Sequence, residues 1–116
     1  MQMQTSPNTY TIKRLDNGKY SLFDDKGEVK ELPIKGEQVT AFKWLYLHDN
    51  GMIIAVHGDK EYGFNADGTP IVLEIEGEQV TAFTCLRISP DGRIRAEYKY
   101  KWYLFNPDGT LILKSN

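Results

Sequence analysis

The chain has 116 residues, of which 41% are hydrophobic and 26% charged, a balance typical of one soluble globular domain and not of a disordered or fibrous segment. Its formal net charge is −2 and its basic residues form no cluster, so neither nucleic acid nor a membrane surface is an expected partner. The single cysteine, Cys85, excludes an intramolecular disulfide, and no signal-peptide pattern is present, so we expect a cytoplasmic protein.

Short runs of β-branched and aromatic residues alternate with turns of Asp, Asn and Gly along the chain, and no window has helical periodicity. The pattern predicts an all-β, antiparallel meander of four recurring strands, a to d. In chain order the predicted strands are b (Thr11 to Leu15), c (Lys19 to Phe23), d (Glu28 to Ile34), a (Gln38 to His48), b (Met52 to His57), c (Glu61 to Asn65), d (Thr69 to Ile75), a (Gln79 to Ser89), b (Arg93 to Lys99), c (Trp102 to Asn106) and d (Thr110 to Lys114), about eleven in all.

An internal repeat underlies this order of strands. The heptapeptide from Gly36 to Phe42 returns unchanged from Gly77 to Phe83, an offset of 41 residues that also relates Phe23, Phe64 and Phe105. We divide the single domain, residues 1–116, into unit 1 (1–34), unit 2 (35–75) and unit 3 (76–116). Unit 1 is short because it has no GEQVTAF segment. The repeat predicts three stacked, blade-like sheets.

The turn between strands a and b of unit 2 fixes the pairing of those strands. A three-residue loop from Asp49 to Gly51 places Leu47 opposite Ile53 and Leu45 opposite Ala55, so that apolar side chains share one face. The same register in unit 3 again joins apolar residues. We therefore predict this register in both units.

The other face of this hairpin differs between the two units. Unit 2 carries Trp44 and Tyr46 opposite Val56 and Ile54, whereas unit 3 has cysteine, arginine and glutamate at the matching positions. One interpretation is that the unit 2 hairpin is central and covered on both sides. The other is that these four residues form an exposed interaction face for a protein partner or a second copy of the chain.

A second candidate site lies between strands b and c of unit 3. Strand alternation places Tyr98, Tyr100 and Trp102 on one side with lysines between them, a combination suited to a sugar, a nucleobase or an acidic peptide. The alternative is that these aromatic residues pack at the core or its rim, as strand c does in the other units.

The residues that carry most enzymatic chemistry are not arranged as a site. His48 and His57 fall on opposite faces of one hairpin, about 13 Å apart, which excludes a shared metal ion. Cys85 pairs across strands with Glu97, which raises the pKa of a thiol, and the aspartates lie in turns where they satisfy backbone donors. We expect no catalytic residue, no metal and no cofactor.

Three segments, Gly18 to Gly27, Lys60 to Gly68 and Lys101 to Gly109, resemble the core of bacterial WG repeats, whose pattern is roughly Gly-Lys-Trp-Gly, two hydrophobic residues and Asp-x-x-Gly. The segment from Gln38 to Phe42 and its copy resemble the last part of that repeat. The resemblance covers most of residues 18–109, although the Trp-Gly pair never appears intact. It implies a β-rich module that serves in interaction and has no known catalytic site.

Two other folds show a weaker resemblance. The segment from Val80 to Asn106 is similar to three strands of a propeller blade, and three units of about 40 residues are also similar to a β-trefoil. The long, unbroken strand a favours the open stack of blades over the trefoil.

Taken together, these patterns predict a non-catalytic β-repeat interaction module that binds a protein partner or self-associates. A homodimer is expected because the incomplete first unit leaves edge strands unpaired. Two alternatives stay open: a lectin-like carbohydrate-binding domain that uses Tyr98, Tyr100 and Trp102, and a small inhibitor or immunity protein.

Overall fold

The computed structural model describes residues 10–115, which contain thirteen strands and no helix. None of these residues therefore lies in a helix long and apolar enough to cross a membrane. The strands are β1 (Thr11–Arg14), β2 (Tyr20–Phe23), β3 (Leu32–Ile34), β4 (Glu37–Val39), β5 (Trp44–Leu47), β6 (Ile53–His57), β7 (Lys60–Phe64), β8 (Leu73–Ile75), β9 (Glu78–Val80), β10 (Cys85–Ile88), β11 (Ile94–Tyr98), β12 (Lys101–Phe105) and β13 (Leu111–Lys114).

The strands form five small antiparallel sheets, which confirms the all-β prediction. Three are meanders, one from each unit: β1–β2, β5–β6–β7 and β10–β11–β12–β13. Two short hairpins, β3–β4 and β8–β9, separate successive meanders. The architecture thus has two sheets more than the three predicted, and its sheets are open, unlike the closed barrel of a β-trefoil.

The predicted register of the a/b hairpins is confirmed. Leu47 pairs with Ile53 and Leu45 with Ala55 in unit 2, and the same register recurs between β10 and β11. The loop ends in Gly51, whose φ of 91° lies in the left-handed region that glycine adopts without steric cost. The turn chemistry read from the sequence therefore sets which side chains face the core.

Strand a was predicted as one continuous strand, and this prediction is wrong. The segment from Gln38 to His48 divides into the end of β4 and the separate strand β5, and its copy divides in the same way. The interruption lets Phe42 turn away and exchange two backbone hydrogen bonds with Tyr20 of unit 1, each 2.8 Å long. Strand a is thus interrupted where Phe42 forms backbone hydrogen bonds with the preceding unit.

Strand d is also shorter than predicted in the first two units. Of the segment from Glu28 to Ile34, only Leu32–Ile34 is a strand, joined to β4 by the two-residue turn Lys35–Gly36. Both turn residues have positive φ, 52° and 81°, as a tight antiparallel hairpin requires. Of the segment from Thr69 to Ile75, likewise, only Leu73–Ile75 is a strand, and it pairs with β9. These added hairpins raise the strand number from about eleven to thirteen.

The buried residues form two clusters, and each lies between successive units. Eight positions recur in both clusters at the 41-residue offset, including Phe42 and Phe83, which are fully buried. The first core consists of Tyr10, Leu22, Leu32, Ile34, Phe42, Leu45, Ile53, Ala55, Tyr62 and Phe64. The second core consists of Ile54, Ile71, Leu73, Ile75, Val80, Phe83, Leu86, Ile94, Ala96, Tyr103 and Phe105.

The central meander contributes to both cores. Its Ile53 and Ala55 lie in the first core, while Ile54, which points the opposite way, lies in the second. On that second side, Leu86 of unit 3 packs over Gly63 so closely that an added Cβ at Gly63 would lie 2.8 Å from its Cδ2. Strand β6 is therefore covered on both sides from Ile53 to Ala55, whereas the first interpretation of the sequence had the whole hairpin covered.

This close approach yields a test of how the units pack. Gly63→Ala should lower the free energy of unfolding by roughly 1–3 kcal/mol, because the new methyl group overpacks the contact with Leu86 and Ile71. The loss should exceed the gain of about 0.4–1 kcal/mol that alanine brings by restricting the unfolded chain. Urea unfolding followed by tryptophan fluorescence measures the change.

Leu86→Ala supplies the second arm of a double-mutant cycle. Alone it should cost about 2–5 kcal/mol through the cavity it creates in the second core. Combined with Gly63→Ala, the total should fall short of the sum of the two single changes, because the alanine methyl enters the vacated space. Strict additivity would show that the two residues do not pack against each other.

Candidate functional site

The four residues of the predicted interaction face lie together in the structure but differ in exposure. Trp44 pairs with Val56 and Tyr46 with Ile54 across β5 and β6. Trp44 is 43% exposed and Tyr46 54%, whereas Val56 is half-buried and Ile54 only 6% exposed. Ile54 is thus a residue of the second core, and the part open to solvent is the aromatic part on β5.

A third aromatic residue extends this surface. The ring of Tyr20, on β2 of unit 1, meets Trp44 edge-on with centroids 4.8 Å apart, and Trp44 meets Tyr46 in the same manner at 6.2 Å. We call Tyr20, Trp44 and Tyr46 the aromatic row. Edge-to-face contacts of this kind fix the ring orientations and contribute about 0.5–1.5 kcal/mol each. Sequence reasoning missed Tyr20 because the pairing of Tyr20 with Phe42 was not foreseen.

A shallow groove begins beside Tyr46, at the junction of units 2 and 3. Its volume is about 230 Å³, and it has an apolar floor with polar groups at the margin. The lining residues are Tyr46, Leu47, His48, Ile54, Leu86, Arg87 and Ile88. Although Ile54 is not exposed, it forms part of the floor, so the predicted face and the groove are continuous.

Strands β5 and β10 occupy equivalent places at the edges of their sheets but differ in how the edge is protected. The Glu61 carboxylate accepts a 2.7 Å hydrogen bond from the Leu86 backbone N–H and lies 3.4 Å from the Arg87 guanidinium. Tyr20 stands 41 residues before Glu61 and presents a ring in place of that carboxylate. Glu61 thus caps the edge strand β10 with a polar group, and Tyr20 does not provide β5 with such a cap.

The alternative ligand site is not assembled. Lys99 and Tyr100 form a tight turn with φ of 51° and 69°, so strand alternation does not continue from Tyr98 to Trp102 as the sequence suggested. Because Tyr98 pairs with Lys101, one position from Trp102, Tyr98 and Trp102 face opposite sides of the sheet. Tyr100 projects from the tip and is 97% exposed. The three side chains do not line one surface.

Each of the two separated aromatics has its own neighbours. The Tyr98 hydroxyl donates to Glu78 Oε1 at 3.1 Å, and its ring packs against the second core. The Arg95 guanidinium lies over the Trp102 ring, 4.9 Å from its centroid, on the outer face. Packing at the core rim, the alternative given for this segment, therefore describes Tyr98, while Trp102 belongs to a different surface.

Cys85 has the pairing that the sequence predicted. It lies opposite Glu97, and its pKa is raised, chiefly by burial, next by the charge of Glu61 and to a lesser degree by that of Glu97, while Arg87 opposes the shift. A raised pKa keeps the sulfur protonated and weakly nucleophilic at neutral pH. This environment opposes thiolate chemistry.

The turn acids also behave as predicted where the structure gives their contacts. Asp67 accepts hydrogen bonds from the backbone N–H and hydroxyl of Thr69, at 2.9 and 2.6 Å, and these bonds lower the pKa of its carboxyl. Asp108 binds Thr110 in the same way. Within residues 10–115, no three His, Cys, Asp or Glu side chains are grouped so as to hold a metal ion.

Comparison with known proteins does not assign the chain to a family. No protein-family model matches it, and no curated protein sequence is recognisably similar. The likeness to WG repeats thus stands on the segments quoted above.

The state of Cys85 is testable because it is the single cysteine of the chain. Alkylation by iodoacetamide should show a thiol pKa above the about 8.5 of free cysteine, so the rate at pH 8 should be below that of the urea-unfolded chain. Glu61→Gln removes a negative charge that raises this pKa and should shift the rate profile to lower pH. An unshifted or upward-shifted profile in that variant would contradict the assigned cause.

Proposed function

We propose that this protein is a non-catalytic β-repeat module, active in the cytoplasm, that binds a protein partner through the aromatic row and the adjoining groove. The observation that carries the proposal is the pair of large aromatic side chains, Trp44 and Tyr46, that stand about half exposed beside an apolar groove. Tryptophan and tyrosine are the residues that most often dominate the binding energy of protein interfaces.

Comparison within the chain separates a role in folding from a role in binding. Cys85 and Arg87 occupy the positions of Trp44 and Tyr46 in unit 3, and β10 pairs with β11 in the same register without aromatic side chains. The repeat therefore folds without aromatics at these two positions. The presence of these aromatics in unit 2 alone therefore favours a role beyond the folding of the repeat.

Strand β5, which carries Trp44 and Tyr46 of the aromatic row, is anchored in the first core. Leu45, between Trp44 and Tyr46, is 4% exposed and belongs to the first core. Its burial anchors β5 on the face opposite the two aromatic side chains. A side chain held in place by its neighbours loses little conformational entropy on binding, and this raises the affinity that a given contact area provides. The row also lies on an edge strand, where an extended segment of a partner can add backbone hydrogen bonds.

Site-specific photocrosslinking tests the proposal in cells that make the protein. Replacing Tyr46 with p-benzoylphenylalanine should give one reproducible crosslinked protein, because the ring lies at the margin of the groove. The matched control replaces Tyr100, an aromatic residue that is 97% exposed at the turn between β11 and β12 and lies outside the groove, and should not yield that adduct. Trp44→Ser in the crosslinking chain should reduce the adduct at least tenfold.

The folding of the Trp44 variant has to be checked separately. The indole is 43% exposed, so Trp44→Ser should retain the cooperative unfolding transition and lose about 1–3 kcal/mol with the two aromatic contacts. No adduct from position 46, or equal adducts from positions 46 and 100, would count against the proposal. An adduct with the chain itself, together with a dimeric mass by light scattering, would identify the partner as a second copy.

A further inference from the structure

The two junctions between units use the same backbone contact. In the first, Tyr20 and Phe42 exchange hydrogen bonds of 2.8 Å in both directions, and in the second, Glu61 and Phe83 do so at 2.8 and 2.9 Å. In each case a residue of the c strand of one unit holds the phenylalanine that opens the next meander. Both phenylalanines are fully buried as a result.

Trp102 occupies the same position in unit 3, 41 residues after Glu61, and its backbone groups are also engaged. Its carbonyl accepts a 2.8 Å hydrogen bond from the Ser115 N–H, and its N–H donates to Ser115 Oγ at 2.8 Å. The end of the last strand thus lies where a following phenylalanine lies in the two earlier junctions. One of the two bonds comes from a hydroxyl group and not from a backbone carbonyl.

Strand β13 is less well buried than the corresponding segment of unit 2. Leu111, Ile112 and Leu113 of β13 are 51%, 43% and 63% exposed, whereas Ile71, the counterpart of Ile112, is 6% exposed beneath unit 3. The pairing of β12 with β13 also shifts register between Leu104 and Phe105. Exposed apolar side chains of this kind mark a surface that a partner can cover, and the register shift sets the end of β13 apart from the regular ladder.

The outer face beside this edge is shaped for a leucine of a following unit. Leu104 is the counterpart of Gly63, which Leu86 covers, and of Leu22, which shares the first core with Leu45. At Leu104 the face is instead an open depression of about 350 Å³. It is lined by Arg95, Trp102, Tyr103, Leu104, Leu113, Lys114 and Ser115.

We propose that this edge and depression bind a β-segment of the pattern Val-Thr-Ala-Phe-x-x-Leu from a different protein, which displaces Ser115 from Trp102. The phenylalanine takes the two backbone bonds of Trp102, and the leucine enters the depression beside Leu104, as Phe42 and Leu45 do at Tyr20 and Leu22. The site lies on a different sheet from the aromatic row and does not depend on it.

A peptide with the sequence of residues 72–89, carrying Cys85→Ser and a fluorescent label, is the probe, and the full chain is the receptor. Fluorescence polarisation should give saturable binding in the micromolar range. Amide chemical shifts of Trp102 and Ser115 should move with the same titration. A peptide with Phe83→Asp is the matched control and should bind at least tenfold more weakly.

Two variants of the chain should act in opposite directions. Leu104→Lys, at a half-buried position on the outer face, should weaken binding at least tenfold while the thermal unfolding midpoint stays within a few degrees. Ser115→Ala removes the hydroxyl that accepts from Trp102 and should tighten binding several-fold, because the competing strand is held less firmly. Trp44→Ser should leave the affinity unchanged, which separates this site from the proposed partner surface.

Three results would overturn the proposal. One is absence of binding to both the natural chain and Ser115→Ala at millimolar peptide, and another is binding that Leu104→Lys leaves intact. The third is self-association of the chain alone that Leu104→Lys abolishes, since the occupant of the edge would then be a second copy.

Discussion

The pairing of one unit's c strand with the first phenylalanine of the next unit is the contact on which the rest of the structure depends. A two- or three-stranded meander of this size has too little apolar area to be stable alone, so each must bury one face against a neighbour. Phe42 and Phe83 make that possible, because their backbone bonds to Tyr20 and Glu61 place each ring in the space between two meanders. Both cores therefore lie between units and not within them.

The local part of this fold could be predicted from the sequence. The register of Leu45 with Ala55 follows from a three-residue turn and the period of two along a strand, and both are encoded within a few residues. The break in strand a could not be predicted in this way. Nothing between Thr40 and Lys43 disfavours an extended chain, and the cause of the bend is Tyr20, about twenty residues earlier in another unit.

The candidate site, too, could be predicted from the sequence only in part. The contrast between Trp44 and Cys85 was visible in the repeat, because aligned units reveal a change of chemistry on an unchanged backbone. The burial of Ile54 was not visible, since it depends on how unit 3 stacks against unit 2. The turn at Lys99 and Tyr100 was missed for another reason: positive φ is most readily predicted at glycine, and neither residue is glycine.

The position of the groove has a consequence for stability that follows from linkage. Its lining combines Tyr46 and Ile54 of unit 2 with Leu86 and Ile88 of unit 3, so an occupant contacts both sides of the second core at once. A partner that binds only when the two units are docked stabilises the docked state by RT ln(1 + [L]/Kd), about 2.7 kcal/mol at a hundredfold excess over Kd. Since the two cores share the central meander and are otherwise separate, that stabilisation acts first on the junction of units 2 and 3. If the proposed partner binds at this groove, its binding is coupled to the cohesion of the repeat through Ile54, which belongs to the groove floor and the second core alike.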